Sequence, residues 1–260
     1  MRLPILFFWM ACLCGGAQAG AWTEGAGQGQ AIASLIFSRA VKSYDGHGEP
    51  GVPAGFERLL LQTDTEYGIT DDLTAFLRTE TANAHEHGGA TAINALDNAF
   101  EGGARWRITD AIGIVSIEAA YRTAGAFNFA VSADRSASGR AAGIRLLYGG
   151  NFKFRGMDGF YDIEAGQSWL TRPRPDENPL DLTAGLWLDS GQMVMLQSFN
   201  LFSAGSAAAP YVYFRSHKIE LSWVKRLSGR FSLQAGGFFS PFGQNALVEQ
   251  GLVLALWTRF

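Results

Sequence analysis

Two short constellations in this chain carry side chains capable of chemistry. His85-Glu86-His87 sets two imidazoles and a carboxylate side by side, with Asp97 the nearest further oxygen donor. A structural or catalytic metal site needs three or four ligands converging on one point, and the Gly-rich surroundings offer no clear third, so the stretch reads better as a solvated loop. Ser216-His217 joins a hydroxyl to a base, the raw material of ester hydrolysis. Adjacent residues on a strand point to opposite faces, so these two cannot form a nucleophile and base pair directly. Gly25-Ala26-Gly27-Gln28-Gly29-Gln30 has glycines in the manner of a nucleotide loop, but no strand precedes it and position 30 is Gln. It reads as a flexible lead into the first strand. No catalytic residue, metal site or cofactor is assigned, and the chain reads as a non-enzyme.

The charges are distributed differently. Arg58, Glu66, Arg78, Glu80, Arg105, Arg107, Glu118, Arg145, Asp162 and Glu164 occupy polar positions in segments whose alternate positions are apolar. Period-two alternation of this kind places one set of side chains on each face of a strand. About twelve such segments follow one another: 28–38, 57–67, 73–81, 103–108, 112–122, 142–152, 160–170, 180–188, 193–202, 211–224, 231–239 and 247–260. In 193–202 the two faces cannot be told apart. Strands of ~9 to 11 residues are long enough to cross a bilayer when tilted.

Connection length supplies a second signal. Gly68 to Asp72, Thr109-Asp110, Asp189 to Gln192 and Leu227 to Arg230 are short turns, whereas Arg39 to Phe56, Ala82 to Gly102, Thr123 to Ala141 and Thr171 to Pro179 read as long loops. Pro173, Pro175 and Pro179 would stiffen the last of these. Short turns at one end and long loops at the other match bacterial barrels, with both termini in the periplasm. Open strand edges cannot persist in hydrocarbon, where each unpaired backbone group costs several kcal/mol, so the sheet must close. The expected fold is therefore all-β, a transmembrane antiparallel up-and-down β-barrel of about 12 strands. A secreted β-sandwich would alternate too. The polar face with mixed charge signs favours the barrel, as do Tyr67, Trp106, Tyr121, Tyr148, Trp169, Tyr211, Tyr213 and Trp223 near strand ends, where interfacial girdles lie.

The two ends of the chain agree with that reading. Arg2, an apolar run from Leu3 and the small-x-small site Ala17-Gln18-Ala19 mark residues 1–19 as a secretory signal peptide, leaving 20–260 as one barrel domain. A lipoprotein signal at Cys12 or Cys14 is the poorer fit. Processing removes both cysteines, so the mature chain has no disulfide or thiolate metal site. The full chain carries 21 Lys and Arg against 24 Asp and Glu, a net charge of −3, without a basic cluster of the sort nucleic acid requires. The final segment alternates Leu252, Leu254, Leu256, Thr258 and Phe260 against Val253, Ala255, Trp257 and Arg259. It resembles the closing strand of bacterial outer-membrane barrels, which makes the terminal Phe260 the expected signal to the barrel assembly machinery.

Two further stretches resemble a known group. Gly20-Ala21-Trp22-Thr23-Glu24-Gly25 with Gly27-Gln28-Gly29-Gln30, and Glu66-Tyr67-Gly68-Ile69-Thr70-Asp71-Asp72-Leu73-Thr74, are similar to proteobacterial outer-membrane barrels assigned to transport in the meta pathway of phenol degradation, and to a related protein encoded beside biofilm polysaccharide genes. These motifs mark turns, so no site residues carry over. The resemblance implies an outer-membrane channel or transporter for small solutes, aromatic ones among them. The alternative is a noncatalytic envelope component that assists exopolysaccharide export, biofilm formation or adhesion. On either reading the partners are outer-membrane lipids, with a solute or polysaccharide unspecified. The ten charged residues named above are the candidate lumen lining, with pairing across the lumen as the competing role for each.

Overall fold

The structure, a computed structural model, describes residues 20–86, 93–123, 140–205 and 212–260. The expected signal peptide, His87, Tyr211 and most of the 123–141 loop lie outside the described residues. Within them the chain is all strand and turn: β1 (Gly29–Tyr44), β2 (Pro50–Thr70), β3 (Leu73–Glu86), β4 (Ile93–Thr109), β5 (Ile114–Arg122), β6 (Ala141–Phe154), β7 (Met157–Leu170), β8 (Asp176–Asp189), β9 (Gln192–Ala204), β10 (Arg215–Arg226), β11 (Phe231–Phe239), the two-residue β12 (Gly243–Gln244) and β13 (Gln250–Arg259). Every neighbour pairs antiparallel, and β1 pairs with β2 on one side and β13 on the other, closing the cylinder. Twelve long strands form the wall. The short β12 pairs with Arg215 and Ser216, continuing the ladder where β11 stops.

Closure follows from the residue pattern. Leu35, Leu61, Leu77, Leu146, Leu182, Leu221 and Leu254 face outward and are exposed, while their neighbours along the strand turn inward. In lipid such a belt is satisfied rather than stranded, and the sealed ladder leaves no backbone edge in hydrocarbon. At the short-turn end Tyr67, Trp106 and Trp223 stand outward, and at the other end Tyr121 and Trp169 do so, placing amphipathic rings near both margins of the belt. Of the two-residue turns, Arg155-Gly156 between β6 and β7 has φ of 51° and 84°, the paired left-handed conformation whose twist matches a hairpin.

The long loops expected at Arg39–Phe56 and Ala82–Gly102 are mostly strand. β1 runs on to Tyr44 and β2 begins at Pro50, leaving only Asp45 to Glu49 as connection, while β3 reaches Glu86 and β4 starts at Ile93. Likewise β8 begins at Asp176, inside the expected 171–179 loop. The reason is physical: strand beyond the hydrocarbon has no lipid demanding an apolar outer face, so it pairs without alternating. At the β1–β2 tip the Asp45 carboxylate accepts the backbone N–H of His47 (2.8 Å) and Glu49 (2.9 Å), which holds it below the usual carboxylate range.

Candidate functional site: the barrel lumen

The inward face of the cylinder is built from two unlike walls. Strands β2 to β8 contribute the charged one. Arg105 from β4 donates through Nη2 to Glu66 Oε1 (2.9 Å) and Glu118 Oε2 (3.0 Å), with all three groups buried. Arg78 on β3 reaches Asp64 Oδ2 (3.0 Å), Glu101 Oε1 (2.8 Å) and Glu118 Oε1 (3.0 Å), so Glu118 ties the two arginines into one network. Beside it Arg145 bridges Glu164 (3.1 Å) and Asp181 (3.4 Å), and Arg122 meets Glu177 at 3.2 Å. Charges removed from water survive only when paired and hydrogen-bonded, and Arg78, Arg105 and Arg145 meet that condition by each sharing a guanidinium among two or more carboxylates.

The opposite wall comes from β9, β10, β11, β13 and β1, with Phe160 and Trp187 reaching it from β7 and β8. Met193, Met195, Val224, Ala255, Trp257 and Phe160 form a buried cluster, with Ile32 and Trp187 packed against it. Its central polar groups are linked in a chain: Trp257 Nε1 donates to Gln234 Oε1 (2.9 Å), and Gln234 Nε2 donates to Glu220 (3.1 Å) and Ser222 (3.0 Å).

Residues before β1 enter this space instead of trailing from it. Ala21 N–H donates to Asp162 Oδ1 (2.7 Å), Ser116 Oγ donates to Ala21 O (2.5 Å), Arg105 Nη1 donates to Trp22 O (3.0 Å), and Glu24 N–H donates to Thr74 Oγ1 (2.8 Å). Trp22 sets its ring edge-on to Phe160 at 5.9 Å. The segment thus crosses the short-turn end as an internal plug, joined to the charged wall by its backbone and to the apolar wall by one indole. Its path admits little more than glycine at two points: a Cβ on Gly20 would fall 2.2 Å from the Asp162 carboxyl carbon, and one on Gly68 would fall 2.2 Å from Gly25 O. The flexible lead expected at 25–30 is therefore corrected to an ordered turn, fixed by Gly27 N–H to Gly68 O (2.9 Å) and Gly68 N–H to Gln28 O (2.9 Å).

At the far end the stretch between β11 and β13 folds inward. Leu247 packs with Ala40, Phe56 and Ala84, and Glu249 accepts from Arg58 Nη2 (3.0 Å) and from Lys218. Between plug and inward fold lies a cavity of ≈ 370 Å³. Arg78, Glu80, Arg145, Asp162 and Glu164 border it on the charged side, and Ile36, Met195, Phe199, Phe238 and Trp257 border it on the apolar side.

The ten sequence candidates therefore divide. Those five border the cavity; Glu66, Arg105 and Glu118 sit buried beneath it beside the plug, and Arg58 sits at the inward fold. Arg107 stands apart at the rim, held by Asp72 Oδ1 at 2.9 Å from its Nε, because its strand leaves the wall at Thr109. Glu101, Arg122, Glu177 and Glu249 were missed, as was the whole apolar wall. Extending the alternation from Arg105 through Gly103 would have reached Glu101. Phe260 continues the closing ladder, its N–H donating to Gly29 O (3.0 Å).

Ser216 and His217 diverge, as adjacent strand residues must. Ser216 is buried and borders the cavity, whereas His217 faces outward with Nδ1 2.7 Å from Asn200 Oδ1 and its ring against Phe242. Among the described residues no cluster of three or more His, Cys, Asp or Glu could hold a metal.

No protein-family profile and no curated protein sequence matches the chain. Solved structures do. An outer membrane channel from Pseudomonas putida F1 superposes with a TM-score of 0.73 at 12% identity, covering 94% of this chain and 100% of that one. The translocator domain of the autotransporter NalP from Neisseria meningitidis gives 0.56 at 12% identity, over 91% and 90%. At such identities the likeness concerns the backbone plan alone, and that plan is the closed twelve-stranded barrel of outer-membrane proteins.

Proposed function

We propose that this protein is an outer-membrane channel for small solutes, gated at its periplasmic end by residues 20–28. The observation that carries this reading is the ≈ 370 Å³ chamber within the wall, bordered by side chains from β1 to β11 and β13. That volume falls in the range of small-molecule sites. Single-ring and other aromatic solutes fit a cavity bordered by Phe160, Phe199, Phe238 and Trp257, in keeping with the resemblance to phenol-pathway barrels. The short-turn end is taken as periplasmic, residues 1–19 as a cleaved export signal and Phe260 as the residue read during barrel assembly.

The test is conductance of the purified barrel in planar bilayers. A small, solute-blockable current that rises several-fold when residues 20–26 are deleted supports the channel and its gate. A properly folded barrel that stays silent in both forms, and passes no solute into liposomes, overturns the reading. One feature favours the second reading, an envelope component acting at the cell surface: the β1–β2 hairpin continues well past the lipid belt. A silent barrel whose loss alters biofilm would select it.

A further inference from the structure

Within the chamber the charges do not balance. Eight carboxylates border it against four cationic side chains, Arg78, Arg122, Arg145 and Lys218. Each of the four is already engaged: Arg78 with Asp64 and Glu101, Arg122 with Glu177, Arg145 with Glu164 and Asp181, Lys218 with Glu249. Among the described residues Glu80, Asp162 and Glu220 make no ion pair. Asp162 accepts the Ala21 N–H and Glu220 accepts from Gln234.

Glu80 has neither kind of help. It is 1% exposed, borders the chamber, and both of its carboxylate oxygens are buried without a hydrogen-bond donor. Arg58, Arg122 and Lys218 lie within its electrostatic range, with Glu101 opposing them. Long-range attraction does not replace a missing donor, because a buried carboxylate needs directional N–H or O–H contacts to offset lost hydration. A side chain in this condition, beside a cavity, gains a partner by turning its carboxylate toward a donor carried by a guest.

The facing wall defines the rest of that guest. Phe238 already holds a cation, with Lys218 Nζ 5.3 Å from its ring centroid. Phe199, Met195 and Trp257 continue the apolar surface beside it. A surplus of carboxylates on one side and aromatic faces on the other suit a protonated amine on a hydrophobic body, which gains hydrogen bonds from the first and cation–π and apolar contact from the second.

We propose that the chamber is a binding site for amphiphilic organic cations, arylalkylamines above all, with Glu80 as the carboxylate that receives the ammonium group. This deepens the channel reading and rests on it for transport, though binding can be measured separately. The probes are 2-phenylethylammonium and, as its near-isosteric opposite, phenylacetate. With the full mature protein in detergent, the amine is expected to saturate a change in tryptophan fluorescence and phenylacetate to produce none. Glu80→Gln should weaken the amine about tenfold, the scale of one lost charge-assisted hydrogen bond, while heat-modifiability on gels confirms that the variant folds. In bilayers under a KCl gradient, cation should exceed anion permeability on the order of tenfold, as expected for a lumen of one dominant sign.

Equal response to the two probes, or an amine affinity indifferent to Glu80→Gln, overturns the proposal. If Glu80→Gln does not fold, Glu220→Gln and competition by potassium take its place, and indifference to both is again refuting. A current without cation preference and without amine binding defeats this inference and leaves the channel standing. Amine binding by a barrel that conducts nothing upholds the site and defeats the channel.

Discussion

The charged wall and the apolar wall enclose one lumen but solve burial by different means. On the charged side Arg78, Arg105 and Arg145 each satisfy several carboxylates, so every member depends on the others. On the apolar side Met193, Met195 and Val224 are buried by contact alone, and each loss is local. A network of buried charges gives shape and selectivity at the risk of large penalties when one member goes; a packed wall is more forgiving. The plug uses both, seating its backbone on the first and Trp22 on the second.

That contrast can be broken by experiment. The largest effect is expected for Arg105→Ala, which leaves Glu66 without its guanidinium partner, leaves Glu118 with Arg78 alone and removes the donor to Trp22 O; a loss of about 3–5 kcal/mol should follow in urea unfolding from lipid vesicles. A loss near 1 kcal/mol or less would mean that the network does not hold this wall. Met193→Ala, on the packed side, should cost about 2–4 kcal/mol by leaving a cavity, with no change in cation preference. A selectivity shift in that variant would blur the division between the walls.

Outside the lumen, Leu182→Arg puts a charge on the lipid face near the middle of β8 and should cost ~2–4 kcal/mol at the bilayer midplane. Thr183→Arg, one residue on but turned inward, should assemble with a smaller penalty. Comparable assembly defects in the two would contradict the facing of this strand. Least of all, Lys153→Ala at the β6–β7 turn removes an ion pair with Asp158 that is exposed on both sides and should move stability by no more than about 0.5 kcal/mol. The carboxylate at the β1–β2 tip supplies a pH control. Asp45 is held low by backbone donors, so its support is complete above the ordinary Asp range and is lost as pH falls through its depressed value. Amide exchange at His47 and Glu49 should accelerate only under that acid condition.

The same contrast explains what could be read from the residues in advance. β2, β3, β5 and β7 alternate charge with Leu, Ile or Tyr, so their facing and the barrel class were visible. β9 was opaque because Met193 and Met195 turn inward while Val194 and Leu196 turn outward, so both faces are apolar. Ile32 and Ile36 hid the inner face of β1 in the same way. The plug gave no periodic signal at all, since it works through backbone donors and acceptors and one tryptophan. Glu249 was hidden for another reason: it lies between strands, and its meeting with Arg58 and Lys218 depends on how the chain folds back.

β2 spans 21 residues, roughly 70 Å of extended chain, or about 50 Å of height at a 45° tilt, against a hydrocarbon slab of ~30 Å. The surplus lifts Gly46-His47-Gly48 clear of the hydrocarbon on a stiff two-stranded mast. If the short-turn end is periplasmic, an epitope tag spliced between those glycines is presented to antibody on intact cells while the barrel below remains undisturbed.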